Sequence, residues 1–299
     1  MTEAMRAVAT GLGLPVQDAQ LLQLTNNAVF ALPRAGIVIR IARTHNLRDR
    51  VTKVIGLAHW FAEIDAPTIR LAPNVDRQVV VGGMSASVWR YVPPQPPAPT
   101  VEDLGLVLRE LHTLALPRFP LPVWDPVGDA RRRLADAEGL DSRDRDFLIE
   151  WCDRLDAPIT ALNGTTDRKL IHGDAHVGNL LREPSGRAVM CDFDATCLGP
   201  WQVDLVAVAV GEARFGSSGL HRALADAYGF DVTADPCWPI LRDARELKMI
   251  AAAVPLLATS AHVAAEFAKR LQSVRDHDHD LRWTPFVDLT RPGRDTGMA

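Results

Sequence analysis

Leu170-Ile171-His172-Gly173-Asp174-Ala175-His176-Val177-Gly178-Asn179, with Cys191-Asp192-Phe193-Asp194 shortly after it, is the stretch on which the reading of this 299-residue chain turns. The first piece is an H-x-D-x-x-x-x-N pattern. The second delivers another carboxylate at the end of an apolar, β-prone run. Two carboxylates and an amide in this order suit phosphoryl transfer, whose transition state needs an aligned nucleophile and cations on the phosphate oxygens more than covalent help. Asp174 is placed to orient a hydroxyl group and accept its proton. The amide oxygen of Asn179 and the carboxylate of Asp192 suit Mg²⁺, a hard ion that takes oxygen ligands. A loop between strands lets the three side chains converge.

Outward from this centre, Lys169–His172, Leu180–Arg182 and Ala188–Cys191 read as a small island of strands. Before it, Leu21–Leu24, Ala28–Leu32 and Gly36–Ala42 are β-prone segments separated by turn-forming Thr25-Asn26-Asn27 and Pro33-Arg34-Ala35-Gly36. From Arg48 to Glu63, Val51, Val54, Ile55, Ala58 and Phe61 recur at helical spacing. Thr68–Leu71 and Ser87–Val92 are further strand candidates. Pro93 to Pro99 holds five prolines in seven residues, which neither a helix nor a central strand accommodates. It is the expected lobe boundary. Thr100 then caps a helix with Leu104, Val107, Leu108 and Leu111 as its apolar stripe. Helical patterns follow over roughly 143–156, 200–214, 219–228, 239–258 and 261–274.

With these elements laid out, the chain resembles the aminoglycoside phosphotransferase and choline kinase family, relatives of the protein kinases. The resemblance rests on HGDAHVGNLL (172–181) and CDFDATCLGPWQVDL (191–205). It implies an α+β, two-lobe protein-kinase-like fold: a small β-rich N-terminal lobe over residues 1–92 that binds the nucleotide, and a larger, mainly helical C-terminal lobe over 93–299 with the catalytic loop and acceptor site. It also implies Asp174 as base, Asn179 and Asp192 as magnesium ligands, His172 as a support of the catalytic loop, and Asp204 as its buttress from behind. Asp194 takes the position of the kinase glycine, with assistance to the metal as its implied role. Arg40, in Gly36-Ile37-Val38-Ile39-Arg40, stands where kinases carry the lysine that contacts the α- and β-phosphates. Asn26 and Asn27 replace a glycine-rich phosphate loop, and Arg90-Tyr91-Val92 forms the hinge whose main chain meets the base. The cosubstrates so implied are Mg²⁺ and ATP or GTP, and the acceptor a small molecule with a hydroxyl group: an aminoglycoside, an amino sugar, an amino alcohol or a macrolide.

One feature departs from that family. The helix that usually offers a glutamate to the cation of the strand has Lys53 and Val54 near the expected point, with Asp49, Glu63 and Asp65 as the nearby acids. In the helical lobe, Glu212, Asp243 and Glu246 are candidates to meet a cationic acceptor.

Other readings compete with this one. A descendant that kept the fold as an inactive binding module would have no use for Asp174, Asn179 and Asp192 together, since clustered carboxylates repel. Gly173-Asp174-Ala175-His176 also spells a ligand pattern of dinuclear phosphoesterases, but the upstream D-x-H and downstream G-N-H that such a site needs are missing. Asp276-His277-Asp278-His279-Asp280 reads as a solvated helix end, because alternation on a helix spreads imidazoles around its axis. His112 reads as a helix-end residue, Cys191 as a small buried hydrophobe, and Trp201, Trp238 and Trp283 as packing anchors.

Composition narrows the classes. A net charge of −4 does not suggest a nucleic-acid face. Four scattered cysteines, none in a C-x-x-C pair, suit neither a disulfide scaffold nor a zinc ribbon. Met1 to Gly13 lacks the basic-then-apolar pattern of a secretory signal. The longest apolar run, Met249 to Ala258, is interrupted by Pro255 and is too short for a membrane span. A cytoplasmic protein, with neither membrane nor nucleic acid as partner, is expected.

Overall fold

The computed structural model describes residues 1–24, 27–43, 48–135, 137–165 and 168–289. The chain divides into two compact units, one built from 1–121 and 174–196, the other from 122–173 and 197–299.

The first unit opens with helix α1 (Thr2–Gly11), then strands β1 (Gln20–Leu24), β2 (Asn27–Leu32) and β3 (Ile37–Ala42), helix α2 (Arg48–Glu63), and strands β4 (Val79–Val81) and β5 (Met84–Arg90). The strands form one antiparallel sheet in the order β1-β2-β3-β5-β4. Alternation sets which face is buried: Ile37, Ile39 and Ile41 point into the core, with Phe30, Leu32 and Val88 beside them. Met5 and Val8 of α1 complete that core, a helix that the sequence reading did not anticipate. The strand expected over Thr68–Leu71 becomes two isolated bridges, Thr68 to Met190 and Leu71 to Trp89. The segment is shared between two partners and lies along neither for long enough to make a ladder.

Helix α3 (Val101–Leu111) follows the prolines and starts in a reciprocal capping box between Thr100 and Asp103, an arrangement worth about 1 kcal/mol. The proline run lies inside this unit. Arg182 donates to the Pro97 carbonyl at 2.7 Å and pairs with Asp103, while Arg187 pairs with Glu110 at 3.1 Å. These arginines belong to the hairpin of residues 180–190, so compactness groups α3 with that hairpin.

The second unit is helical: α4 (Pro126–Ala135), α5 (Ser142–Thr165), and, after the site segment, α6 (Val203–Phe215), α7 (Leu220–Tyr228), α8 (Trp238–Ala251), α9 (Ala261–Arg275) and α10 (Phe286–Leu289). Trp151, Leu155, Leu247, Ile250, Phe267 and Leu271 make the centre of its core. Trp283 is enclosed between two guanidinium groups, Arg214 at 4.4 Å and Arg270 at 5.0 Å from its ring centre. Trp201 stacks on Tyr228 at 5.5 Å. Helix α9 ends at Arg275, and the acidic-histidine run after it is a turn in which Asp278 Oδ1 accepts the N–H groups of Asp280 and Leu281. Among the described residues, no helix is long and apolar enough to cross a membrane.

The island of strands around the deciding stretch is two separate pairs. Strand β6 (Lys169–Ile171) pairs with β9 (Cys197–Gly199) in the second unit, and β7 (Leu180–Arg182) with β8 (Ala188–Met190) in the first. Strand β9 was not anticipated. It lies so close to β6 that a Cβ on Gly199 would stand 2.9 Å from Ile171 Cδ1 and 2.8 Å from Trp124 Cβ.

Candidate functional site

A short hairpin explains the spacing of the two proposed metal ligands. Strands β7 and β8 pair Leu180 with Met190, and the ladder extends one step further when Cys191 N–H donates to the Asn179 carbonyl at 2.9 Å. Asn179 and Asp192 are thereby held at the same open end of the hairpin. Asn179 is buried and its Nδ2 donates to the Asp174 carbonyl at 2.9 Å. With the donor end of the amide engaged, the oxygen is the end whose chemistry suits a hard cation. Burial, reinforced by the Asp192 charge, pushes the Cys191 thiol up to about 12, so it stays protonated beside that carboxylate.

Asp192 itself adopts a left-handed backbone, φ 63°, which a non-glycine residue holds at a cost of about 1 kcal/mol or more. The next residue helps to fix it. Phe193 is buried, with ring centres 5.1 Å from Phe61 of α2 and 6.0 Å from Trp89 of β5. Burying such a ring is worth roughly 1.5–3 kcal/mol.

Arg40 closes this corner. Its Nη1 donates to Asp194 Oδ1 at 2.9 Å, and its Nη2 lies 2.8 Å from Asp192 Oδ1 and 2.7 Å from Asp194 Oδ2. Asn27 Nδ2 adds a bond to Asp194 Oδ2 at 3.0 Å. Burial alone would push the Asp194 carboxyl up. The hydrogen bond and charge of Arg40, with the Asn27 amide, outweigh it and hold the group below the usual carboxylate range. The acids that pair with Arg40 are thus Asp192 and Asp194. Asp65 is engaged elsewhere, with Arg70 and Arg187. Asp194, with both oxygens taken by side chains, is a partner of Arg40, which differs from the metal-assisting role that the resemblance implies. Lys53 was seen in the sequence only as a missing glutamate. Its Nζ donates to the carbonyls of Asp194 and Thr196, both at 2.8 Å.

In the second unit, Asp204 is fully buried and accepts two main-chain bonds, His172 N–H on Oδ2 and Gly173 N–H on Oδ1, each at 2.7 Å. Lys248, on α8, donates to the Gly173 carbonyl at 2.9 Å. Gly173 has φ 76°, a conformation in which glycine carries no steric penalty. His172 is buried, and Asp174, the next residue after Gly173, is partly exposed. Lys248 escaped the sequence reading because nothing local in α8 distinguishes it from a solvent-facing lysine.

The segment Arg90-Tyr91-Val92, expected as the hinge, offers fewer donors than its three residues suggest. Arg90 N–H donates to the Arg70 carbonyl at 2.9 Å and Tyr91 N–H to the Gly36 carbonyl at 2.8 Å. Two of the three main-chain N–H groups expected to meet a base are thus engaged within the protein. Asn26 lies outside the described residues.

The sequence model of the phosphotransferase enzyme family (APH) matches residues 23–244, most of the chain, with Arg40, Asp174, Asn179, Asp192 and Asp204 inside the match. The chain belongs to the phosphotransferase enzyme family. No curated protein sequence matches it. Among solved structures, this phosphotransferase is similar to the amicoumacin kinase hAmiN, with a TM-score of 0.71 at 14% identity, covering 97% of this chain and 100% of that one. It is also similar to a microcompartment-associated aminopropanol kinase, TM-score 0.66 at 19% identity, over 94% and 100% of the chains. A choline/ethanolamine kinase family protein from Mesorhizobium loti gives 0.61 at 17% identity, over 96% of each. At such identities these likenesses establish a kinase-like fold, a small antiparallel sheet followed by a mainly helical part.

The three acids proposed to meet an acceptor fare differently in the phosphotransferase structure. Glu246 is buried at 1% exposure and accepts from Arg214 through both oxygens, at 2.8 and 2.9 Å, while Arg242 adds a third contact at 3.1 Å. That corrects its assignment: no external cation competes with two internal guanidinium groups in a closed site. Glu212 accepts the His221 N–H at 2.8 Å. Asp243 is half-buried, and desolvation followed by the Glu246 charge raises its carboxyl above the usual range, against the pull of His279, Arg154 and Arg242. Removing one member of a buried ion pair costs about 3–5 kcal/mol. Glu246→Ala should therefore shift the urea unfolding midpoint strongly downward, and Arg214→Met likewise. The double variant should lose less than the sum. Strictly additive losses would show that the pair is not coupled.

Proposed function

We propose that this phosphotransferase is a Mg²⁺-dependent small-molecule kinase that moves the γ-phosphate of ATP or GTP to a hydroxyl group of its acceptor. The observation that carries the reading is the hairpin that brings Asn179 and Asp192 together and ties Asn179 to Asp174. An amide oxygen and a carboxylate are the donor set that a hard cation takes. When bound, the metal supplies positive charge to the phosphate oxygens and orients them. Asp174 orients the acceptor hydroxyl and takes its proton as the bond to phosphorus forms. His172 and Asp204 hold the loop that presents it. Arg40, anchored by Asp194, reaches the α- and β-phosphates. Residues 1–92 supply the nucleotide lobe, with Asn26 and Asn27 at the phosphates and Arg90-Tyr91-Val92 at the base, and residues 93–299 the acceptor side, where Glu212 and Asp243 remain candidates for a cationic group. An amino sugar, aminoglycoside or amino alcohol fits that charge. Inactivation of an antibiotic and phosphorylation of a metabolite both fit such an acceptor.

The test is a coupled ADP- and GDP-release screen over hydroxyl compounds, with antibiotic tolerance of an expressing host as a parallel measurement. Magnesium-dependent release stimulated by one acceptor class is the expected result. Manganese-dependent hydrolysis of p-nitrophenyl phosphate without nucleotide, lost in His176→Ala, would instead support the phosphoesterase reading and overturn this one.

A further inference from the structure

We infer that Lys53 and Asp194 are positioning residues for the metal- and phosphate-binding corner: Asp194 fixes the fork of Arg40, and Lys53 fixes the turn that carries Asp192. This rests on the kinase reading above, and it assigns both residues tasks that the sequence did not suggest.

The two carboxylates of Asp192-Phe193-Asp194 are used differently. Asp194 is mostly buried, and both of its oxygens accept side-chain donors: Arg40 on Oδ1, and Arg40 with Asn27 on Oδ2. A guanidinium held through two nitrogens by one carboxylate keeps its plane as well as its position. Asp192 meets Arg40 through a single oxygen, and its side chain is 36% exposed. One acid therefore holds the arginine and the other remains accessible to a cation.

Lys53 supplies the second restraint. Its ammonium bridges the carbonyls of Asp194 and Thr196, so α2 grips the backbone two and four residues after Asp192. That grip matters because Asp192 sits in the left-handed region, and a backbone there relaxes unless its surroundings over-determine it. Phe193 packing against Phe61 fixes the turn through α2 as well. Charge balance agrees with the arrangement. Three cations surround the two anions Asp192 and Asp194: Arg40 on both, Arg50 at 3.9 Å from Asp194 Oδ2, and Lys53 on the main chain of the same turn, whereas a glutamate at position 53 would set a third anion against two carbonyl oxygens.

Two measurements on the full chain test the inference. In the first, hydrogen exchange without ligand is followed over 191–197 in the parent, Lys53→Met and Lys53→Arg. Lys53→Met should speed exchange there by at least ~10-fold, with Lys53→Arg closer to the parent and the second unit unaffected. Unchanged exchange over 191–197 would overturn the role of Lys53, whether or not a nucleotide binds. In the second, calorimetry measures a non-hydrolysable ATP or GTP analogue with and without Mg²⁺. Outer-shell partners of a metal site are typically worth 10–100-fold in metal affinity. Lys53→Met should lower the magnesium-dependent gain by about that factor and leave metal-free affinity near the parent's, with partial recovery in Lys53→Arg. Asp194→Asn should weaken the nucleotide with and without metal, because Arg40 loses its anchor. Equal binding by the parent and Asp194→Asn would overturn its role. A parent that binds no nucleotide at all, yet shows the exchange effect, would refute the kinase reading and leave the restraint by Lys53 standing.

Discussion

Asp174→Asn is expected to bind the nucleotide about as well as the parent and to lose at least ~10²-fold in kcat. The substitution keeps the shape of the side chain and some hydrogen bonding but removes its ability to accept a proton. General-base assistance typically contributes ~10²–10⁴-fold, and misorientation of the attacking hydroxyl adds to the loss. Asparagine is nearly isosteric with aspartate, so the loop is expected to keep its shape in the variant, with Asn179 Nδ2 on the carbonyl of residue 174 and with Asp204 and Lys248 on the main chain of His172 and Gly173. Single-turnover phosphate transfer, once the screen has supplied an acceptor, is the measurement. Transfer at nearly the parental rate would remove Asp174 from the chemistry.

The proposed site was more legible in the sequence than the contacts that surround it, and the reason is locality. Asp174, Asn179 and Asp192 lie within one stretch, and the β-prone runs 180–182 and 188–191 announce the hairpin that brings the last two together. Helix α2 begins and ends where its apolar spacing places it, at Arg48 and Glu63. Thr100 caps α3 because a hydroxyl three residues before an acid is a local signal. What stayed hidden depends on distant pairings. The acids on and just after α2 lie nine to twenty-five residues from Arg40, whereas its partners are 152 and 154 residues away. The doubled acid of Asp192-Phe193-Asp194, together with the cation at Lys53, was the available clue: a missing anion on the helix and a surplus one in the turn. Glu246 looked like any helical carboxylate until Arg214, 32 residues before it, was seen to enclose it. Helix α1 and strands β4 and β9 are short, and their stability comes from what they pack or pair with, which no local pattern encodes.

Asp192→Ala is expected to abolish most of the magnesium-dependent gain in nucleotide affinity, by at least ~10²-fold, since losing a ligand should exceed the ~10–100-fold that outer-shell partners are worth. The sign without metal is the informative part. Asp192 is both a proposed ligand and one of two acids on Arg40. Removing it leaves Asp194 to anchor the guanidinium and takes one negative charge away from the phosphates, so metal-free affinity should hold or rise. A purely structural role predicts the opposite, a fall with and without metal alike, because Arg40 would lose part of its anchor and the turn its restraint. Calorimetry with a non-hydrolysable analogue, run with Mg²⁺ and with chelator, separates the two outcomes. An unchanged magnesium dependence would remove Asp192 from the metal. A uniform fall would make it a counter-ion of Arg40 and leave Asn179 in need of another carboxylate partner.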